Sequence, residues 1–168
     1  MPEIIIRPAI KEDYPGIHKL LRQIAEQHAA QRPDLFRPHV KLSEQDYQEQ
    51  LKTAEETPIL VAALDGKIVG HLFAEVKHIK QRPHIKERRM FYIDDLCVDE
   101  TCRGYGIGRG LMEEAGRLAY AHQCGALELN VFQCNENAVR FYERLGFAPQ
   151  RLTMEKRLDK SCEEATAK

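Results

Sequence analysis

Short apolar runs, separated by prolines, glycines and polar stretches, divide the chain into strands and helices. The first run, Ile4–Ile6, predicts a strand. From Ile17 onward, apolar positions recur at the three- and four-residue spacing of a helix. A second helix is predicted from Ser43 to about Ala54, because Ser43 and Asp46 resemble a capping box.

The rest of the chain predicts a three-strand meander, a helix, a strand, a last helix and an edge strand. Asp65-Gly66 marks a tight turn within the meander, since both residues suit a turn with positive φ. The helix after the meander is expected to end near Gly125. The predicted ranges are 59–64, 68–80 and 90–98 for the meander, 111–122 for the helix, 126–132 for the next strand, 138–145 for the last helix and 152–158 for the edge strand.

This order of elements predicts an α/β (α+β) fold with a mixed, mostly antiparallel sheet and helices on both faces. The helix between the fourth and fifth strands is a crossover connection, so these two strands are expected to run parallel. A length of 168 residues favours one compact domain. We expect residues 1–158 to form that domain and residues 159–168 to be a polar C-terminal tail.

Composition excludes several functional classes. Hydrophobic residues make up 43% and charged residues 30% of the chain, as in ordinary globular proteins. The net charge of -1 offers no basic field for nucleic acid, and the basic residues between 77 and 89 are expected to form a solvated hairpin connection. Because no apolar run is long enough for a signal peptide or a membrane span, we expect a cytoplasmic protein.

Five cysteines are present, at positions 97, 102, 124, 134 and 162. Their number is odd and no C-x-x-C spacing occurs, so neither a disulfide framework nor a metal site is expected. Free, mostly buried thiols are the prediction.

Three glycines alternate in Arg103-Gly104-Tyr105-Gly106-Ile107-Gly108, between a predicted strand and a predicted helix. Glycines let the backbone approach a ligand closely, and a helix N-terminus supplies unpaired N–H groups and a positive dipole end. Arg103 and Arg109 add cationic donors, so the segment suits phosphate groups. It matches neither the dinucleotide-binding nor the P-loop pattern, and a glycine-rich connection without a ligand is the alternative.

Two consecutive aspartates, Asp94 and Asp95, lie inside a predicted strand, where aspartate is uncommon. Neighbouring residues of a regular strand point to opposite faces, so one carboxylate is expected to face a cleft or the protein interior. The alternative is one solvated aspartate and one salt-bridged structural aspartate.

The glycine segment resembles the R/Q-x-x-G-x-G/A motif of the GCN5-related N-acetyltransferase (GNAT) family. Leu96-Cys97-Val98 precedes it as the L-x-V strand end does in that family. Residues 135–147 are similar to the family segment N-x-x-A-x-x-F-Y-x-x-x-G-F, and the resemblance spans roughly residues 4 to 158.

This resemblance implies acetyl-coenzyme A as cosubstrate, no metal, and a parallel strand pair at the cofactor cleft. Tyr142 would be the general acid and would also contact the cofactor. Residues 92–98 are in addition similar to the corresponding strand of diamine (spermidine/spermine) acetyltransferases, which makes Asp94 the preferred base and Asp95 a substrate anchor. The remaining cofactor-binding residues implied are Leu96, Cys97, Val98, Arg103, Gly104, Tyr105, Gly106, Ile107, Gly108, Arg109, Asn135 and Asn137.

Analogy with related folds places Glu26 and His28 at the acceptor pocket. The predicted function is direct acetyl transfer to a primary amine of a small molecule, and a homodimer is possible. One alternative is acetylation of protein lysines or N-termini, and another is a module that senses acyl-coenzyme A without catalysis. An acyl-cysteine route through Cys134 is a further alternative, although no sequence feature indicates a lowered thiol pKa.

Overall fold

The computed structural model describes residues 3–158, which form five β-strands and four α-helices. Two further short segments, Lys11–Asp13 and Glu100–Cys102, are 3-10 turns. The strands are β1 Ile4–Pro8, β2 Ile59–Leu64, β3 Lys67–Ile79, β4 Arg88–Val98 and β5 Ala126–Leu129. The helices are α1 Tyr14–Gln31, α2 Glu44–Lys52, α3 Ile107–Ala121 and α4 Glu136–Arg144.

The five strands form one sheet in which the spatial order β1-β2-β3-β4-β5 follows the chain order. Neighbours from β1 to β4 pair antiparallel, and β4 pairs with β5 in parallel. The predicted mixed sheet and its parallel pair are therefore confirmed. The β2–β3 hairpin turns at Asp65 and Gly66, whose φ values of 48° and 75° are those of the predicted tight turn.

Helices α1 and α3 cover the sheet from opposite faces. On one face, Ile17 and Leu21 of α1 pack with Phe73 of β3 in a buried apolar cluster. On the other face, a Cβ on Gly70 of β3 would lie 3.0 Å from the side chain of Ile107 in α3. Both faces of the central strands are therefore buried, which explains the nearly continuous apolar sequence of β2.

Helix α2 begins where its capping pattern predicts. The hydroxyl of Ser43 accepts a hydrogen bond from the Asp46 backbone N–H at 3.1 Å. Tyr47 of this helix is fully buried and donates a hydrogen bond from its hydroxyl to the Ile10 carbonyl at 2.6 Å. These contacts fix α2 against the α1 side of the sheet.

Three details differ from the sequence predictions. Strand β5 ends at Leu129 rather than at residue 132, because its pairing with β4 ends at Ile93, immediately before a β-bulge. Residues 152–158 form no strand: the sheet of the described chain contains five strands, and 152–158 are in none of them. Helix α3 is followed by Gln123 at φ 55°, whereas Gly125 donates its N–H to the Arg89 carbonyl beside β4.

Two compact units divide the described residues, 3–135 and 136–158. The first contains the whole sheet with α1, α2 and α3. The second contains α4, which is followed by Gly146 at φ 88°, as predicted for the end of this helix. The limits 1–158 of a single domain remain a prediction, and the tail predicted at 159–168 lies outside the described residues.

Candidate functional site

The glycine-rich segment leads from β4 into α3. Gly104 and Gly106 have φ values of 86° and 80°, a region that is strained for residues with a Cβ. A Cβ at either position would meet no described atom within 4 Å. The backbone conformation therefore requires glycine, and the surrounding open space lets a ligand come close to the backbone.

The first turn of α3 supplies hydrogen-bond donors beside this open space. The Gly110 N–H donates to the Gly106 carbonyl at 2.9 Å, so the N–H groups of Ile107, Gly108 and Arg109 precede the first helical hydrogen bond. These donors lie at the positive end of the helix dipole. Such an arrangement fits the pyrophosphate of a coenzyme A molecule.

The side chain of Arg103 is directed toward α1. Its Nε lies 3.4 Å from the Val98 carbonyl oxygen, and one terminal nitrogen lies 3.5 Å from Oε1 of Gln27. Arg103 therefore ties the start of the glycine segment to α1. Arg109, in the first turn of α3, is exposed.

The end of β4 has an open edge. Leu96, Cys97 and Val98 pair with β3 on one side, but the parallel pairing with β5 on the other side stops at Ile93. Within residues 3–158, no strand extends that pairing along residues 94–98. An extended ligand such as a pantetheine arm fits beside this edge in the position of a neighbouring strand.

Two groups at this strand end already have partners within the protein. The Val98 carbonyl accepts a hydrogen bond from Nε2 of Gln23 at 3.0 Å. The Cys97 thiol is buried and donates to the Leu20 carbonyl at 3.5 Å, and burial raises the pKa of this thiol to about 12. Cys97 is therefore suited to contribute backbone groups rather than a nucleophile.

The cysteines are less buried than predicted. Of the four within residues 3–158, all are free, Cys97 is buried and Cys134 is exposed, whereas Cys102 and Cys124 are half-buried. Cys134 is exposed because it lies in the turn between β5 and α4. Cys162 lies outside the described residues.

A β-bulge at the acidic pair changes the direction of its side chains. Phe73 pairs with Asp95 and Ala74 pairs with Ile93, so Asp94 is an extra residue in β4. Strict alternation of side chains fails at such a bulge. The prediction that Asp94 and Asp95 point to opposite faces is wrong, because both carboxylates approach the same ammonium group.

That ammonium group belongs to Lys41, in the segment between α1 and α2. Its Nζ lies 2.8 Å from Oδ2 of Asp94 and 3.8 Å from Oδ2 of Asp95. The two carboxylates differ in burial: the Asp94 side chain is 56% exposed and the Asp95 side chain is 6% exposed. The bulge thus produces one solvated and one buried carboxylate beside a shared cation.

Asp95 lies against His71, a fully buried residue of β3. The distance from His71 Nε2 to Asp95 Oδ2 is 3.7 Å, which is an electrostatic contact rather than a hydrogen bond. Among the described residues, neither ring nitrogen of His71 has a hydrogen-bond partner. Burial raises the pKa of Asp95, but the neighbouring His71, and then Lys41 and His28, outweigh it and hold this pKa below its usual value. Asp95 is therefore ionised at neutral pH.

An open cleft of about 570 Å³ lies beside Asp94 and Lys41 on the sheet face that α1 and α2 cover. This volume is in the range of small-molecule sites. Apolar side chains from α1 and β3 form part of its wall, together with hydroxyl, amide and charged groups. The lining residues are Leu21, Lys41, Leu42, Gln50, Thr53, Thr57, Phe73, Ala74, Glu75 and Asp94.

The structure separates the two residues predicted for the acceptor pocket. His28 is close enough to influence the Asp95 carboxylate and packs on Phe36, with ring centroids 5.3 Å apart. Phe36 in turn meets the edge of Phe132 beyond β5, at 5.5 Å. Glu26 is exposed on α1, and none of the contacts described for residues 3–158 joins it to Asp94 or Asp95.

The remaining predicted residues lie at the end of the first unit and in the second. Asn135 donates its N–H to the Phe132 carbonyl at 2.9 Å, and Asn137 lies in the first turn of α4. Tyr142 packs edge-on against Phe147, with ring centroids 5.7 Å apart. Its carbonyl accepts hydrogen bonds from the chain that follows α4, which fixes the tyrosine at the C-terminal end of this helix.

Sequence reasoning missed Lys41 and His71. A histidine in a strand as apolar as β3 is a weak signal, because a histidine bonded within the core is the commoner case. Lys41 lies in an irregular connection whose approach to β4 depends on the fold. The bulge at Asp94 likewise depends on how β4 pairs with β3 and leaves no pattern in one strand alone.

Comparison with known proteins identifies the family. The Acetyltransferase (GNAT) family model matches residues 19–147, which include most of α1, the sheet from β2 to β5, the glycine segment and α4. The chain therefore belongs to the GNAT acetyltransferase family and is an acyltransferase. Enzymes of this family use acetyl-coenzyme A, in agreement with the backbone N–H groups in the first turn of α3 and the open edge of β4.

Named relatives support the same class. The L-amino acid N-acetyltransferase AaaT of Escherichia coli (strain K12) is 32% identical over 148 residues, covering 88% of this chain and 84% of that protein. The spermine/spermidine N(1)-acetyltransferase of Bacillus subtilis (strain 168) is 27% identical over 84 residues, covering 49% of this chain and 54% of that protein. A crystal structure of a tetramutant of the BH1408 protein from Bacillus halodurans superposes with a TM-score of 0.87 and 38% identity, covering 92% and 99% of the two chains.

These findings confirm the predicted family, fold class and enzyme class. They leave the acceptor open, because the relatives act on different amines. Among residues 3–158, no helix is both long and apolar enough to cross a membrane.

Proposed function

We propose that this protein is an N-acetyltransferase that moves the acetyl group of acetyl-coenzyme A directly to a primary amine of a small molecule. The observation that carries the proposal is the carboxylate pair at the β4 bulge. It lies in the same strand as the open edge, a few residues before the glycine segment. In this proposal, a group able to take a proton lies near the position where the cosubstrate would end.

In this proposal the chain holds the cosubstrate mainly through its backbone. The N–H groups from Gly104 to Arg109 bind the pyrophosphate, and the edge of β4 at Leu96, Cys97 and Val98 binds the pantetheine arm. Asn135 and Asn137 are proposed as further contacts to the cosubstrate. The open surface at Gly104 and Gly106 and the buried Cys97 thiol support this assignment.

Asp94 is proposed as the general base. An alkylammonium titrates near pH 10.4, so its deprotonation at pH 7 costs about 4–5 kcal/mol. The exposed Asp94 carboxylate accepts a proton from the acceptor nitrogen, directly or through water, as the new C–N bond forms and the thioester C–S bond breaks. The Tyr142 hydroxyl supplies a proton or a hydrogen bond to the departing sulfur.

Asp95 is proposed to stabilise the acceptor ammonium before that proton leaves. Its lowered pKa keeps it ionised and makes it a weak base, which favours an electrostatic role. His28 would border the same region, whereas the exposed Glu26 would contribute only at its rim. Asp94 and Asp95 already lie near Lys41, so the acidic pair does not specifically favour a polyamine as the acceptor.

The cleft size favours a small molecule over a protein. A peptide needs an extended groove, whereas this cleft of about 570 Å³ matches a ligand of a few tens of atoms at most. Protein lysine or N-terminal acetylation remains the second candidate. A non-catalytic acyl-coenzyme A sensor is disfavoured by the carboxylate pair. A cytoplasmic location and a homodimer remain predictions.

The test is a panel of amines incubated with the protein and acetyl-coenzyme A. It contains amino acids, aminoglycosides, polyamines and lysine peptides, and free thiol release is measured. Release with at least one small amine, together with the acetylated product by mass spectrometry, is expected. Thiol release with peptides alone would favour the second candidate, and none with any amine would favour the sensor.

Once an active amine is known, Asp94→Asn is expected to lower kcat/KM by about 10²–10⁴-fold at pH 7, because the acceptor nitrogen loses its proton acceptor. The matched control is Asp65→Asn, in the exposed β2–β3 turn where asparagine also tolerates positive φ. It should retain wild-type activity. An unchanged kcat/KM in Asp94→Asn would assign the base elsewhere.

A further inference from the structure

Lys41 occupies the position in which an acceptor amine would meet the carboxylate pair. Its Nζ is 2.8 Å from Asp94 and 3.8 Å from Asp95, so a primary ammonium already sits at the proposed base. Any external amine must share this position or displace Lys41 from it. Acceptor specificity therefore depends in part on which group of the acceptor contacts the Lys41 ammonium.

We propose that the acceptor is a zwitterionic α-amino acid whose carboxylate binds Lys41 while its amine binds Asp94 and Asp95. The inference rests on the proposed N-acetyltransferase function and names its substrate class. In the free protein, Lys41 and Asp94 pair with each other; in the complex, each pairs with the opposite charge of the same ligand. Lys41 is thus assigned as a specificity-determining residue.

Charge balance separates the candidate acceptors. A simple amine that displaces Lys41 removes the ion pair of this lysine with Asp94 and supplies no anion in its place. An α-amino acid brings a carboxylate that replaces the lost contact. A polyamine brings a second ammonium group, and this like charge is repelled by Lys41.

Local structure allows Lys41 to make this exchange. The following backbone is fixed, because the Tyr14 hydroxyl donates to the Leu42 carbonyl at 3.1 Å and Ser43 caps α2. The Lys41 side chain itself is 60% exposed and has a flexible four-carbon stem. Its ammonium can therefore leave Asp94 and stay at the cleft while its Cα keeps its place.

The cleft also offers space for an amino-acid side chain. Lys41 and Asp94 both line it, and Leu21, Leu42 and Phe73 provide apolar surface beside them. The Lys41 cation, the adjacent Asp94 carboxylate and the apolar wall match, in that order, the carboxylate, ammonium and apolar side chain of an amino acid. Leucine and phenylalanine are accordingly the first acceptors to test, with glycine as the acceptor that lacks a side chain.

The experiment compares ligands that differ at the carboxylate. L-leucine, leucinamide and isoamylamine are assayed with acetyl-coenzyme A, together with the corresponding compounds of phenylalanine and glycine, and spermidine. The wild-type enzyme is expected to prefer the amino acids over their amides and decarboxylated amines by about tenfold or more in kcat/KM. Leucinamide keeps the size of leucine and removes its charge, so it isolates the effect of the carboxylate.

Variants then assign this preference to Lys41. Lys41→Met should reduce the ratio of kcat/KM for amino acid over amide by about tenfold, mainly through the KM of the amino acid. Lys41→Arg, which keeps the charge, should restore part of the preference. The control Lys52→Met removes an exposed lysine of α2 that pairs with Glu49, and it should keep the wild-type ratio.

The outcomes distinguish the two proposals. Acetylation of amines and amides without a preference for the carboxylate would overturn the amino-acid assignment and leave the N-acetyltransferase function standing. An equal loss for amino acid and amide in Lys41→Met would also overturn it, because Lys41 would then be needed only for structure. Absence of thiol release with every compound would contradict the proposed function itself.

Discussion

His71 and the ionised Asp95 lie in buried contact on the sheet face that α1 covers. Asp95 is 8% exposed, and His71 is fully buried with Nε2 at 3.7 Å from the carboxylate. An ionised carboxylate in such a position is costly unless a cation or hydrogen-bond donor stabilises it. His71 therefore acts as a positioning residue for Asp95, and Asp95 in turn helps to hold Lys41.

Replacing His71 by leucine should raise the pKa of Asp95 and destabilise the protein. A group with a lowered pKa in the folded state adds stability above its unfolded pKa, so this contribution is present at pH 7 and absent in the variant. We expect a loss of about 2 kcal/mol in the free energy of unfolding at pH 7. Carboxyl NMR would report the Asp95 titration, and urea unfolding the stability.

The exposed pair His78–Glu87, at 2.6 Å, provides the control. His78→Leu should change the free energy of unfolding by less than about 1 kcal/mol, because exposed ion pairs contribute little. If the Asp95 titration in His71→Leu coincided with that of the wild type, His71 would have no influence on this carboxylate.

At the scale of elements, α3 joins the glycine segment to the core. Ile107 and Leu111 of this helix are buried against the sheet, while its first turn presents backbone N–H groups at the surface. The position of α3 therefore determines where these N–H groups lie. A change in the backbone at Gly106 alters the direction in which those N–H groups point.

Two glycine substitutions in this region should have opposite effects on stability. Gly106→Ala forces alanine into φ 80° and should cost about 1–2 kcal/mol, with weaker coenzyme A binding. Gly116→Ala lies inside α3, where a Cβ would meet no described atom within 4 Å, and should stabilise by about 0.5–1 kcal/mol. Thermal unfolding and calorimetric titration with coenzyme A measure both. Equal affinities in the two variants would contradict a role of the segment in binding.

Most elements were predictable, whereas their local irregularities were not. The apolar runs and the Asp65-Gly66 turn predicted the meander correctly, because strand patterns and turn-forming residues lie in consecutive sequence. The bulge at Asp94 was missed, since it depends on the register between β3 and β4. The sheet edge left open where β5 ends at Leu129 follows from the same bulge.

The candidate site was predictable to the extent that it is encoded in local motifs. The glycine segment and the acidic pair were found because their chemistry lies in consecutive residues. Lys41 and His71 reach Asp95 from distant parts of the chain, so only the fold reveals them. The roles of Asp94, Asp95 and Tyr142 in catalysis remain predictions.

Within residues 3–135, three buried aspartates each lie near a cationic side chain from another part of the chain. Asp13 pairs with Arg7 at 2.6 Å, Asp99 pairs with Lys19 at 2.8 Å, and Asp95 lies 3.8 Å from Lys41. All three pKa values are below the usual range for aspartate, and that of Asp99 is lowered to about 2, chiefly by the hydrogen bond from Lys19. The protein is therefore sensitive to acid at several positions together.

Thermal stability should be nearly constant from pH 7 to pH 5 and fall steeply from about pH 4 to pH 2. Lowered pKa values in the folded state contribute stability above the unfolded value near 3.9, and that stability is lost as the carboxylates become protonated. Circular dichroism melts at each pH measure the fall. Asp99→Asn should be less stable at pH 7 and show a smaller fall. A melting temperature independent of pH below 4 would contradict this account.

The agreement between strand order and chain order bears on how the protein is made. Each strand of the sheet is adjacent to the strand synthesised before it, from β1 through β5. During translation, every emerging strand therefore meets a partner that has already left the ribosome, and no strand has to insert between two others. The β2–β3 and β3–β4 hairpins close through short connections, which favours early formation. The parallel β4–β5 pair must wait for α3, so the opening beside β4 takes shape late in folding.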